Sequence, residues 1–232
     1  MLRLHRTILA ALIVAPALAA PASAAAPSDR IRGTIEAADA SALTVRTDAG
    51  ETVKVALTDA TKYASVVKSD LSKIEQGSFI GTATKGSGNF LVALEVAIFP
   101  PSLRGLGEGH YAWDRLRDTT MAGGTHVNSS MTNGTVQASA SAGPGPKVNS
   151  SMTNGNVQAS SSQGGARRLT VTYEGGQQTI IVPPTAPIVA FEPADKTVMV
   201  KGAHVFIKAT EAANPATADF VAVGKDGLVP PM

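Results

Sequence analysis

From Arg30 to Pro100 apolar and polar residues alternate with a period of two, the signature of strands that bury one face. Ile31–Ala38 is the first such stretch. In Ala42–Thr47, Leu43 and Val45 alternate with Thr44 and Arg46. Asp48-Ala49-Gly50 follows as a tight turn, and Val53, Val55 and Leu57 resume the pattern, which predicts a hairpin. Ser69 to Glu75 is a short helical pattern stopped by Gly77, with Ser69 able to cap it and Asp70 near its positive end. Ser78–Thr84 and Phe90–Phe99 read as two further strands, the second with Phe90, Val92, Leu94, Val96 and Ile98 on one face.

The order strand, strand, strand, short helix, strand, strand is that of an OB-like barrel, whose helix plugs the gap between strands three and four. The second half carries the same plan. Leu43-Thr44-Val45 returns as Leu169-Thr170-Val171, and the turn Asp48-Ala49-Gly50 returns as Glu174-Gly175-Gly176. Val53 and Val55 match Thr179 and Ile181; Phe79–Thr84 matches His204–Ala209; Ala93 and Val96 match Ala218 and Val221. The offset stays near 125 residues. The expected fold is therefore all-β: two related OB-like five-stranded barrels, each with a short helix between strands three and four.

A second duplication lies between the halves. Val127–Ser139 recurs as Val148–Ser160, 21 residues on, with the single change of Thr135 to Asn156. Its Gly-x-Val-Gln-Ala core is similar to Gly33-Thr34-Ile35-Glu36-Ala37 of the first strand. A second barrel needs only one such strand, and Gly143-Pro144-Gly145-Pro146 would break a continuous one. The expected organisation is a signal peptide over 1–24, a first barrel over 30–100 and a Gly-rich connector over 101–126. A duplicated segment over 127–147, forming a loop or an edge strand, and a second barrel over 148–232 complete it.

Gly33-x-Ile35, Leu43-Thr44-Val45, Asp70-Leu71, Gly77 and the strand Ala93–Ile98 together resemble a little-characterised group of bacterial exported proteins built from small OB-like β-barrel repeats. The resemblance covers most of the chain beyond the leader. It implies a fold and brings no reaction with it.

The start of the chain fits that compartment. Arg3, His5 and Arg6 precede the apolar run Thr7–Ala20, and Ala22-Ser23-Ala24 is a small-x-small cleavage site. Cleavage after Ala24 would leave a periplasmic or secreted protein. It removes Arg3 and Arg6, so Lys+Arg falls from 20 to 18 against 18 Asp+Glu, and the side chains sum to zero. No basic field is left to hold nucleic acid, and no later run is long and apolar enough for a transmembrane helix. The absence of cysteine excludes a disulfide framework and a lipid-bearing thiol.

Candidate chemistry is sparse. Arg104 to Arg115 is rich in glycine and contains the only tryptophan of the chain. Its Glu108, His110, Trp113 and Asp114 are candidate ligand-binding residues, and the competing structural reading has Trp113 and Tyr111 packed between barrels. Met121, His126 and Met131, with the duplicate Met152, form a loose thioether and imidazole set suited to copper. No HExxH or GxSxG motif is present, so catalytic residues are not expected and no cofactor is required by the sequence. The expected function is a non-enzymatic binding or interaction module, with an unknown protein or small ligand in the periplasm as its partner. The alternative is a periplasmic protein binding copper or another divalent cation.

Overall fold

The computed structural model describes residues 28–88, 90–141, 165–210 and 215–231. The leader and the second copy of the tandem segment, 148–160, lie outside the described residues. Strands dominate, joined by short 3-10 turns. In the first half these are β1 (Ser28–Ala38), β2 (Ala42–Thr47), β3 (Thr52–Ala56), β4 (Lys62–Lys68), β5 (Phe79–Ser87) and β6 (Phe90–Phe99). The connector contains β7 (Gly109–Ala112), β8 (Leu116–Arg117) and β9 (His126–Val127). The second half contains β10 (Ser130–Ser141), β11 (Arg167–Tyr173), β12 (Gly176–Val182), β13 (Ile188–Pro193), β14 (His204–Thr210) and β15 (Thr217–Gly224).

The strands do not close within their own halves. The meander β1-β2-β3 is completed by β14 and β15, with β1 antiparallel to β14 and β3 meeting β15 at Ala56 and Thr217. The meander β10-β11-β12 is completed in the same way by β5 and β6. Each ring thus takes three strands from one half and a hairpin from the other. The expectation that 30–100 and 148–232 each form a separate barrel is corrected accordingly. Alternation specifies which face a strand buries, and hairpins from either half present the same apolar face. β4 and β13 cross between the rings, antiparallel to each other, with β4 alongside β15 and β13 alongside β6.

The two rings agree in detail at an offset of 125. Ile80 and Val205 are both buried, as are Ala93 and Ala218, Val96 and Val221. Bulges fall at Ala83/Thr84 and at Lys208/Ala209. The helical pattern at Ser69–Glu75 is a single 3-10 turn, Leu71–Lys73, and its cap is Asp70 rather than Ser69. The Asp70 carboxylate accepts from the Ser72 amide at 2.7 Å, and Asp195 does the same for Thr197 at 2.8 Å. Gly33 and Gly134 are interchangeable in role: a Cβ on either would collide with a carbonyl oxygen across the sheet, that of Arg46 or Thr172.

Three apolar cores result. One fills the β1-β2-β3-β14-β15 ring around Leu43, Val45, Val55 and Ile207; another fills the β10-β11-β12-β5-β6 ring around Ile80, Leu169, Val171 and Ile180. Each such side chain, essentially inaccessible to water, contributes on the order of 1.5–3 kcal/mol. The third lies between the rings and is aromatic, with Phe99, Phe191, Phe206 and Phe220 packed about β4 and β13.

The tandem segment also departs from expectation. Its first copy is β10, an inner strand paired with β5 along one edge and with β7 and then β11 along the other. Val136, Met131 and Thr132 are buried there, so the described part of the segment at Ser130–Ser141 supplies ring structure rather than a loop or an edge. The two faces of β6 are both covered. Its bulge opposite β5 shifts the inward set to Leu91, Ala93 and Val96, in place of the single face read from the sequence.

Candidate functional site

A cavity of about 260 Å³ opens in the aromatic layer between the rings. Its origin lies in a difference between corresponding positions. In one hairpin Gly81 pairs with Ala97 and Ala83 with Glu95; in the other Phe206 pairs with Ala222 and Lys208 with Phe220. Glycine and alanine thus stand where phenylalanine and lysine stand 125 residues later, and the room their small size leaves is shared by Asn133, the Phe99 ring and the cavity. A Cβ at Gly81 would sit 2.5 Å from Asn133 Oδ1 and 2.9 Å from the Phe99 ring.

Glu95 takes the place of Phe220 and is 8% exposed among these rings. Burial pushes its carboxyl up to about 7, the Arg32 guanidinium pulling weakly the other way. Its Oε1 is buried and has no hydrogen-bond partner within the protein. Two further polar atoms at the cavity share that condition, Asn133 Oδ1 and Trp113 Nε1. Asn133 is held by its other end, since Nδ2 donates to Gly107 O at 2.9 Å. Polar groups left unpaired on burial cost about 1–3 kcal/mol each, so three around one cavity are groups that a bound molecule can satisfy.

The connector forms one wall. β7 pairs with β10 and brings Tyr111 and Trp113 over the opening, their rings 6.0 Å apart. Arg30 lies 3.9 Å from the Trp113 ring centroid and binds Asp114 Oδ1 at 2.8 Å, while Arg32 binds Asp114 Oδ2 at 2.8 Å. One carboxylate therefore clamps the connector to two arginines of β1.

The candidates read from the sequence separate into two groups. Glu108 and Trp113 line the cavity, Glu108 at its exposed rim and Trp113 half-buried. Asp114 is committed to the arginine clamp, and His110 is elsewhere, its Nδ1 2.8 Å from Thr132 Oγ1 and its ring stacked on Tyr173. Glu108, His110 and Asp114 do not form one ligand set. The copper set is scattered too: Met121 is 64% exposed, His126 lies exposed on β9, and Met131 is buried against the cavity. Among the described residues no group of three His, Asp or Glu side chains could hold a metal ion. No helix among them is long and apolar enough to cross a membrane.

Sequence reasoning missed Glu95. The signal was present as the lone charge inside Phe90-Leu-Val-Ala-Leu-Glu-Val-Ala-Ile-Phe99. Arg30, Gly81, Asn133 and Lys208 were missed because cross-half pairing alone brings them together.

No protein-family model matches the chain, and neither a curated protein nor a solved structure shows significant similarity to it.

Proposed function

We propose that this protein is an exported, non-enzymatic binding module that holds a small, largely apolar molecule between its two rings. One observation carries the reading: the cavity brings together three buried polar atoms that the protein itself leaves without partners. Ligand pockets have this composition, an apolar lining with a few fixed polar groups. At about 260 Å³ the space is just under the ~300–1,000 Å³ of drug-sized pockets and suits a smaller molecule.

In this reading the rings are OB-like units descended from one duplicated sequence, and divergence at Gly81, Ala83 and Glu95 opened one side for a ligand. The offset of 125 in core positions and bulges supports that descent. Export rests on the basic start, the apolar run and the Ala22-Ser23-Ala24 site, with a mature N-terminus at Ala25.

Native mass spectrometry of protein recovered from its own cell envelope tests the reading. The expected spectrum shows a small molecule retained by the chain starting at Ala25 and lost from Ala83→Leu, whose longer side chain enters the cavity. Retention unaffected by Ala83→Leu, or an empty chain that binds no member of a small-molecule library, would refute it.

A further inference from the structure

We infer that the molecule this cavity takes is a small organic cation, an N–H-bearing ammonium on an apolar body, with its charged end against Glu95. The inference rests on reading the cavity as a ligand site and adds the class of ligand.

The hydrogen-bonding capacity left open inside the cavity is lopsided. Glu95 Oε1 and Asn133 Oδ1 are acceptors, and Trp113 Nε1 is the one donor beside them among the buried unpartnered atoms. The Asn133 amide cannot turn to offer its nitrogen without giving up the bond to Gly107 O. A ligand that satisfies this set brings more donors than acceptors. A primary ammonium brings three donors in a compact group, and a hydroxyl or carbonyl elsewhere on the ligand would meet Trp113.

The two acceptors face the same cavity. Glu95 is paired with Ala83 on one side of β5, and Asn133 with Gly81 on the other. Between them β5 offers only a methyl group and a hydrogen, with Met131 and the Phe99 ring alongside, and both acceptors line the same cavity. The remaining wall is aromatic, with Phe99, Phe191, Phe206 and Phe220. Ring faces attract cations, most strongly where water is excluded.

The cavity is lined by two cations and two carboxyl groups, and one of the cations is already committed elsewhere. Arg30 and Arg32 of β1 are both spent on Asp114, and Arg30 is further engaged by the Trp113 face. Glu108 of the connector sits at the rim. Lys208 of β14, beside Arg30 in the other ring, also lines the cavity and is the cation that could favour an anion. A carboxylate ligand would have to lie in a cavity whose two unmet acceptors repel it. A cation instead draws Glu95 into its ionised form and replaces the water that burial removed.

Trp113, the sole tryptophan, reports occupancy directly through its fluorescence. The probes are n-hexylammonium, 1-hexanol and hexanoate, titrated into the intact mature protein. Hexylammonium is expected to bind at least about 10-fold more tightly than hexanol, the scale of one charge-assisted hydrogen bond. Glu95→Gln should reduce that preference to about one while hexanol binding stays within about 3-fold, which also shows the variant is folded. A second measurement needs no variant: affinity for hexylammonium should rise between about pH 6 and about pH 8 as Glu95 ionises, and that for hexanol should not. Tighter binding of hexanoate, or an ammonium preference that survives Glu95→Gln and is flat with pH, overturns the inference and leaves the binding reading standing. A Trp113 signal unmoved by all three probes overturns the binding reading and this inference with it.

Discussion

Val66 and Phe191, 125 positions apart in the chain, face each other at the centre of the β4–β13 ladder. The pairs around them exchange under the same offset: Ala64 pairs with Pro193, and Lys68 with Val189. A two-fold relation between the halves therefore passes through this ladder, and β4 and β13 are the strands by which each half reaches into the other ring.

It follows that residues 30–100 alone lack two of the five strands of their ring. Expressed by itself, this fragment is expected to be unfolded or to associate through exchanged hairpins, and not to be a folded monomer. Sedimentation together with thermal unfolding monitored by circular dichroism checks this. A monomer that melts cooperatively would contradict the cross-half pairing.

Glu95 sets a pH dependence with a definite sign. Its carboxyl is raised in the folded protein from 4.5 to about 7, so between those values the folded chain keeps a proton that the unfolded chain has released. Its contribution is full below about 4.5 and declines as pH rises through about 7, by an amount on the order of 3 kcal/mol. Asp118 works in the opposite sense. Bonds from Lys85 and Thr120 hold its carboxyl below the usual range, and that support is lost on acidification. Urea midpoints for the ligand-free protein should fall from about pH 5 to about pH 8, and the fall should flatten in Glu95→Gln. An unchanged slope in that variant would remove Glu95 as its source.

Deleting Val127–Lys147 should be well tolerated. The chain then runs from His126 into Val148, and the second copy repeats the sequence of β10 with Asn156 in place of Thr135 and Ser161 in place of Ala140. Ser141 pairs with Arg167, so residues 142–166 now join β10 to β11. After the deletion Ser162 stands at that position, and four residues, 163–166, remain as an ordinary hairpin loop. The expected loss is about 1 kcal/mol or less, a few degrees in melting temperature. Cooperative melting tens of degrees lower would mean that the two copies are not interchangeable.

Trp113 is half-buried, stacked by Arg30 and unpaired at Nε1. Trp113→Ala should therefore cost about 2 kcal/mol rather than the 3–5 kcal/mol of a fully enclosed ring. Asp114→Asn should cost a comparable amount, because both arginines lose their counter-charge together. Chemical denaturation of the two single variants and the double variant checks this. Strict additivity would show that the clamp and the stacked ring are not coupled.

Strands were legible because their signal is local. Leu43 and Val45 alternate with polar neighbours, and Gly50 and Gly175 adopt positive φ at the turns after them. β4 was not read as a strand, since Tyr63, Ala64, Ser65 and Val66 do not separate into an apolar and a polar set. Partner choice was illegible for a different reason. β14 offers β1 the same kind of inward residues that β5 offers β10, and a period of two cannot distinguish them. The cavity followed from that partner choice. Gly81 and Phe206 carry meaning only once the two hairpins are seen to occupy corresponding places.

The exchanged hairpins also bear on how the molecule is made. A chain delivered N-terminus first, from a ribosome or through a membrane pore, produces β1–β3 early and then waits. β1 lacks β14 and β3 lacks β15 until residue 224 has emerged, so both edges of that meander stay open through most of synthesis. Open edges invite wrong partners, and contacts this distant in sequence form slowly. The last hairpin acts as the clasp of the whole molecule. Loss of residues 204–232 would leave every residue of the first half intact and yet undo its ring.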